Sequence, residues 1–316
     1  MCVRLIKVIK VLGETMTYKN SVKIMANNFS LCWKQLVWII ISVFAVFGIS
    51  LLCATPVINM LKRNDFFVAV KDSFETIYSS PKDYPTSVNN VFSLFCDLIK
   101  SNAGSLWPSY LSASLSLVLL GNLFVCVGHY ACSNVLFERM SNNARTSYTH
   151  RLIATFGRSI LYSFVAFLFS VPFFAAIVGV FVLYVRLSTT TLVTLVLLPF
   201  ATMIVYVIFA IHLSLSCATI SCMLAGTKNP FKALGLSIKM ASRRFARVFS
   251  SSLVLVLTIV FVNLFVGFFT IFAGLVITIP ASVVLVNAFG LVNYFAAMGK
   301  SFYVSDIVVA NLKVKP

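Results

Sequence analysis

Acidic side chains are scarce: eight Asp and Glu stand against 25 Lys and Arg in 316 residues, and only 10% of the chain is charged. Soluble domains carry about 25% charged residues, so this composition excludes an ordinary hydrated surface. No H-E-x-x-H, G-x-S-x-G, P-loop or dinucleotide fingerprint occurs. The chain thus offers no motif for an enzyme, and no cofactor is expected. Charged residues are also missing from the cores of the long apolar runs, which counts against proton- or sodium-coupled transport through intramembrane carboxylates. Carbonyls at broken helices also bind ions, so a transporter stays among the readings. Of eight cysteines only Cys96 falls in an extramembrane loop, and no disulfide framework follows. Cys2 lacks the apolar leader that precedes a lipoprotein cysteine and is not read as lipidated.

What is present is apolar: 60% of residues are hydrophobic and the mean hydropathy is +0.98. A helix crosses the hydrocarbon with about 20 apolar residues, and six runs reach that length. They are Leu36–Ile58, Pro108–Cys132, Ser159–Tyr184, Thr191–Ile220, Val248–Phe269 and Ile271–Phe295. The first begins beyond residue 30 with no small-residue cleavage pattern, so it is read as a retained span and not a removable signal. The expected fold is an all-α polytopic bundle. It divides into an amphipathic N-terminal segment (1–35), a six-span domain (36–298) with an external loop (59–107) and an interfacial helix (229–247), and a tail (299–316).

The net charge of +17 is unevenly distributed. The segment before the first span carries +5, the second loop +3, the fourth loop +6 and the tail +2, whereas the first and fifth loops are neutral and the third holds Arg186 alone. Sixteen of the 17 positive units therefore lie on alternate segments. The Lys/Arg bias places these in the cytoplasm, with both termini. No loop has room for a nucleic-acid recognition domain or shows a basic-aromatic stacking surface, so a nucleic-acid partner is not expected.

The densest basic stretch is "NPFKALGLSIKMASRRFARVFSSS", Asn229–Ser252. Asn229 is suited to an N-cap and Pro230 to the first helical position. On a helix, Lys232, Lys239, Arg243 and Arg247 share an arc opposite Phe231, Leu234, Ile238, Ala241, Phe245 and Val248. With Arg244, these cations form the predicted membrane-interface site, their partners being anionic lipid headgroups. A membrane-protein partner is a second reading of the surface. "SVKIMANNFSLCWKQLVW" and "YTHRLIATFGRSILYSF" lead into the first and third spans in the same manner, giving three units of an amphipathic approach followed by two spans. Segments of this form resemble those of uncharacterised bacterial multi-span families, including ones similar to the membrane domain attached to some glycerophosphodiester phosphodiesterases. The resemblance covers scattered segments without a catalytic motif. It implies a six-span protein of the bacterial plasma membrane with no established activity, and the chain has no room for a phosphodiesterase barrel.

In the external loop, "YSSPKDYPTS" reads as irregular and "VNNVFSLFCDLIKSNAGSLW" as a short helix lying against the outer interface or the bundle. Within the spans, "CVGHYAC" and "HLSLSCATISC" bring imidazole and thiol groups, ligands for zinc, copper or haem iron, to similar depth. His129, Cys132, His212 and Cys217 are the candidate metal ligands. Cys126 and Cys132 diverge by about 120° on a helix, which leaves His129 and Cys132 as an i,i+3 pair. The alternative for all of them is packing and hydrogen bonding between helices. Pro199, His212, Pro280 and Asn287 mark the candidate cavity, because proline frees carbonyls and asparagine links helices. The leading reading is a structural or accessory membrane protein that contacts lipid or a partner without catalysis. A permease needs those four residues to share a polar cavity, and a membrane enzyme needs the histidines and cysteines to converge.

Overall fold

A computed structural model describes residues 17–79, 84–187, 191–305 and 307–310. The chain is almost entirely helical, as it must be where no water is present to satisfy backbone groups. The order is α1 (17–27), α2 (Ser30–Arg63), α3 (Phe66–Ser79), α4 (Tyr84–Asn142), α5 (Tyr148–Ala154), α6 (Phe156–Leu187), α7 (Thr191–Ser216), α8 (Thr219–Leu224), α9 (Pro230–Ser242), α10 (Phe245–Phe269) and α11 (Leu275–Ala297). Among the described residues, six helices are long and apolar enough to cross a bilayer: α2, α4, α6, α7 continued by α8, α10 and α11. This is a multi-pass membrane protein.

Two compact units form, one from Met1–Ile40 with Leu123–Pro316 and the other from Ile41–Asn122. In the second unit α2 and α4 meet at Ser50 and Ser116, whose hydroxyl oxygens lie 2.8 Å apart. Of the stretch expected to be irregular (78–87), Tyr78 and Ser79 close α3, and residues 80–83 lie outside the described residues. Tyr84–Ser87 already belong to α4, and the short external helix is the beginning of this 59-residue helix. Pro85 occupies its first turn, where no intrahelical N–H is required. Pro108, expected to open the second span, lies inside it.

In the first unit α11 forms the centre: half of its apolar window is buried, against 6–17% for the other spans. It is apolar all round, as a surrounded helix should be. Gly290 sets its contact with α7, since a Cβ there would overlap the carbonyl of Cys217. Gly128 does the same between α4 and α2, where a Cβ would stand 2.5 Å from Trp38.

The three approach segments are helices that break before their spans. α1 ends at a turn over Asn28–Phe29, α5 at Thr155 and α9 at Arg243–Arg244. Each break sets a polar residue before a phenylalanine at the head of a span, and Phe29, Phe156 and Phe245 are 43%, 45% and 41% exposed. After α4, α8 and α11, Asn143, Gly226 and Gly299 take positive φ. Such left-handed residues close helices by satisfying the last carbonyls. The tail beyond Gly299 folds back: Phe302 and Val304 are buried, Phe302–Tyr303 pairs antiparallel with Val309–Ala310, and Asn27 Nδ2 donates to Val304 O at 2.9 Å.

Candidate polar sites within the bundle

Asn287 of α11 organises a buried polar cluster. Its Oδ1 accepts from His129 Nδ1 at 3.0 Å and from Ser133 Oγ at 3.0 Å, both on α4. Cys132, wholly buried between these two, lies beside the same amide and faces Cys32 of α2 and Tyr148 of α5. Tyr148 in turn donates its phenol to Gln35 Oε1 at 2.9 Å. Burial raises the Tyr148 pKa, and the neighbouring Cys132 adds to the rise, so the donor stays protonated. Trp38 completes the α2–α4 seam by donating Nε1–H to Phe124 O at 2.9 Å.

The other predicted residues lie elsewhere. His212 Nε2 meets Ser170 Oγ of α6 at 3.0 Å, with Phe169 stacked on its ring and Phe173 edge-on. Cys217 sits at the α7–α8 break, its Sγ near Ser214 O. The four candidate ligands thus do not assemble, and no group of three His, Cys, Asp or Glu is placed to hold a metal among the described residues. His129 precedes Asn143 by the same 14 positions that separate His212 from Gly226. Their partners differ because α4 faces α11 at His129 and α7 faces α6 at His212.

The candidate cavity also disperses. Pro199 is exposed on α7. Pro280 closes a crevice of about 10 Å³ with Phe29, Cys32, Trp33 and Leu36, room for at most one water. Asn287 meets His129 and Ser133 through Oδ1, its Nδ2 being buried without a partner among the described residues, whereas His212 meets Ser170. A further cluster joins α10 to α11 through Asn263, which accepts from Thr278 at 2.7 Å and donates to Ser282 at 3.1 Å.

On α9, Asn229 is the N-cap, accepting from the Phe231 and Lys232 amides, and Pro230 follows as expected. Lys232, Lys239 and Arg243 are exposed and Arg247 is half-buried. Arg244 is half-buried, and its Nη1 donates to Ala296 O at 3.1 Å. The antiparallel α10–α11 pair sets Arg244 beside the last turn of α11, where free carbonyls attract a cation. Burial lowers its pKa, helped by the neighbouring Arg247, yet guanidinium remains charged. Ser237 of α9 spans the α7–α8 break, donating to Leu215 O at 2.7 Å and accepting from Ala218 N at 3.2 Å.

Gln35, Ser133, Tyr148 and Ser237 were not among the sequence candidates. Gln35 had a signal, being the chain's single glutamine and lying in an apolar run. The serines had none, because serine is common in spans and only a partner distinguishes one from another. No family model, curated protein or solved structure matches the chain.

Proposed function

We propose that the protein is a non-catalytic membrane component that engages anionic lipid headgroups along one end of its bundle. One observation carries this reading: the three approach helices end in the same break, each with a phenylalanine just over 40% exposed at the head of a span. Exposed cations flank these breaks, namely Lys23, Lys34, Lys232, Lys239 and Arg243. Aromatic rings at span ends with cations beside them are what a headgroup layer accommodates. The Lys/Arg bias assigns that end, with both termini, to the cytoplasmic side, and the resemblance of the approach segments favours a bacterial inner membrane. The separate hydrogen bonds of His129 with Asn287, His212 with Ser170 and Asn263 with Ser282 support helix-linking roles over a shared reaction centre.

The test is thermal unfolding of the full chain in nanodiscs of phosphatidylglycerol and phosphatidylcholine. A higher midpoint in the anionic discs, reduced by salt and by the triple substitution Lys232→Gln, Lys239→Gln, Arg243→Gln, is expected. Equal midpoints in both discs would reject the reading. Solute flux into proteoliposomes above that of empty vesicles would replace it with the permease.

A further inference from the structure

At the end of the first unit where α2 begins and α4 stops lies a polar cleft of about 300 Å³. Its polar lining is Asn28, Ser30, Lys34, Arg139, Arg145 and Thr146. Three cations face it, and no carboxylate is among its lining residues. Glu138, the acid adjoining Arg139, is paired with Arg151.

The cleft is built and not merely bordered. Asn28 is only 5% exposed, its Nδ2 donates to Ile24 O at 2.7 Å, and its Oδ1 accepts from Arg139 Nη1 at 2.7 Å. That hydrogen bond orients a half-buried guanidinium. Thr146 Oγ1 is buried with no hydrogen-bond partner among the described residues. A buried hydroxyl normally finds a partner, and this one stands unpartnered just beneath the cleft surface. Two guanidinium groups, an ammonium and the Ser30 hydroxyl supply donors from several directions, which suits a tetrahedral oxyanion. The volume is at the lower end of small-ligand sites, sufficient for a phosphate with a small alcohol attached. Lys34 and Arg139 lie in the end turns of two spans, at the depth where headgroup phosphates reside.

We propose that this cleft binds a single phosphate group, that of a phospholipid headgroup or of a soluble phosphate compound. The proposal rests on the membrane-facing reading above and gives it a defined seat. Each cation near an anionic surface contributes about fivefold in affinity, and two together about 25-fold.

Native mass spectrometry of the full chain, with one phosphatidylglycerol titrated against phosphatidylcholine of equal chain length, tests it. Arg139→Gln with Arg145→Gln should lower retention of the anionic lipid by about 25-fold. Lys62→Gln with Lys100→Gln, equal in charge removed but exposed in the second unit and outside the headgroup-facing set, should change it less than twofold. If the arginine pair fails to fold, Lys34→Gln at its exposed position should still lower retention by about fivefold. In a parallel arm, inorganic phosphate that displaces the lipid identifies a soluble phosphate as a competent ligand. Arginine-dependent retention without such competition identifies the headgroup. Equal losses in both double variants would remove the cleft and leave the broader lipid reading standing. No preference for phosphatidylglycerol by the unaltered chain would remove both.

Discussion

Close approach at single residues decides much of this packing. Gly290→Ala would force a methyl group into the Cys217 carbonyl, and a cost of about 2 kcal/mol is expected. Gly235 on α9 has nothing within 4 Å of a built Cβ, so Gly235→Ala should stabilise the helix by about 0.5–1 kcal/mol. Chemical unfolding of the two variants in the same micelles measures the contrast, and equal effects would refute the Gly290 contact. Asn287→Leu strands the His129 and Ser133 donors together, for an expected loss of about 1 kcal/mol. Asn287 was visible in the sequence as a buried amide, but its partners 158 and 154 positions away were not. Periodicity reports which face of a helix is polar and says nothing of which distant helix will meet it.

At the scale of the element, the sequence located the approach helices without identifying the stripe that packs against the protein. On α9, Phe231, Leu234, Ile238, Ala241, Phe245 and Val248 were read only as the apolar face opposite the cations. The structure buries Pro230, Ala233, Ser237 and Ala241 and leaves Phe231 and Phe245 exposed. In water the largest apolar side chains seek the core, but lipid is as apolar as they are, so small residues occupy helix contacts. An amphipathic pattern therefore marks the interfacial helix without identifying its protein-facing stripe. α1 follows the same rule, with Thr17, Ser21, Ile24 and Asn28 buried in a row. Ser237→Ala should leave Leu215 O and Ala218 N unpaired at the α7–α8 break, costing about 1–3 kcal/mol. Hydrogen exchange should accelerate locally over residues 215–224, and unchanged protection there would show that Ser237 does not hold the break.

For the whole molecule, run length and Lys/Arg counts made the six spans legible, since both reflect the local cost of placing a side chain in lipid. The extension of α4 through Pro108 was not legible, because a proline that reads as a boundary is tolerated inside a long helix once neighbours re-satisfy the backbone. The topology is checked with Cys2→Ser as background. A membrane-impermeant maleimide added to intact cells should label Cys96 and leave an Arg243→Cys reporter unreacted, the reverse pattern overturning the assignment. The centrality of α11 also bears on how the protein is made. Synthesis runs from the N-terminus at about 5–20 residues per second, and Asn287 emerges 154 residues after Ser133. For roughly 8–30 s the polar groups on α4 await their acceptor while the third to fifth spans are added around a central slot that stays empty. Retention by the insertion machinery, or temporary cover from lipid, is thus a requirement of assembly for this protein. A ribosome stalled before α11 would release a membrane intermediate whose exposed polar seam is a ready target for quality-control proteolysis.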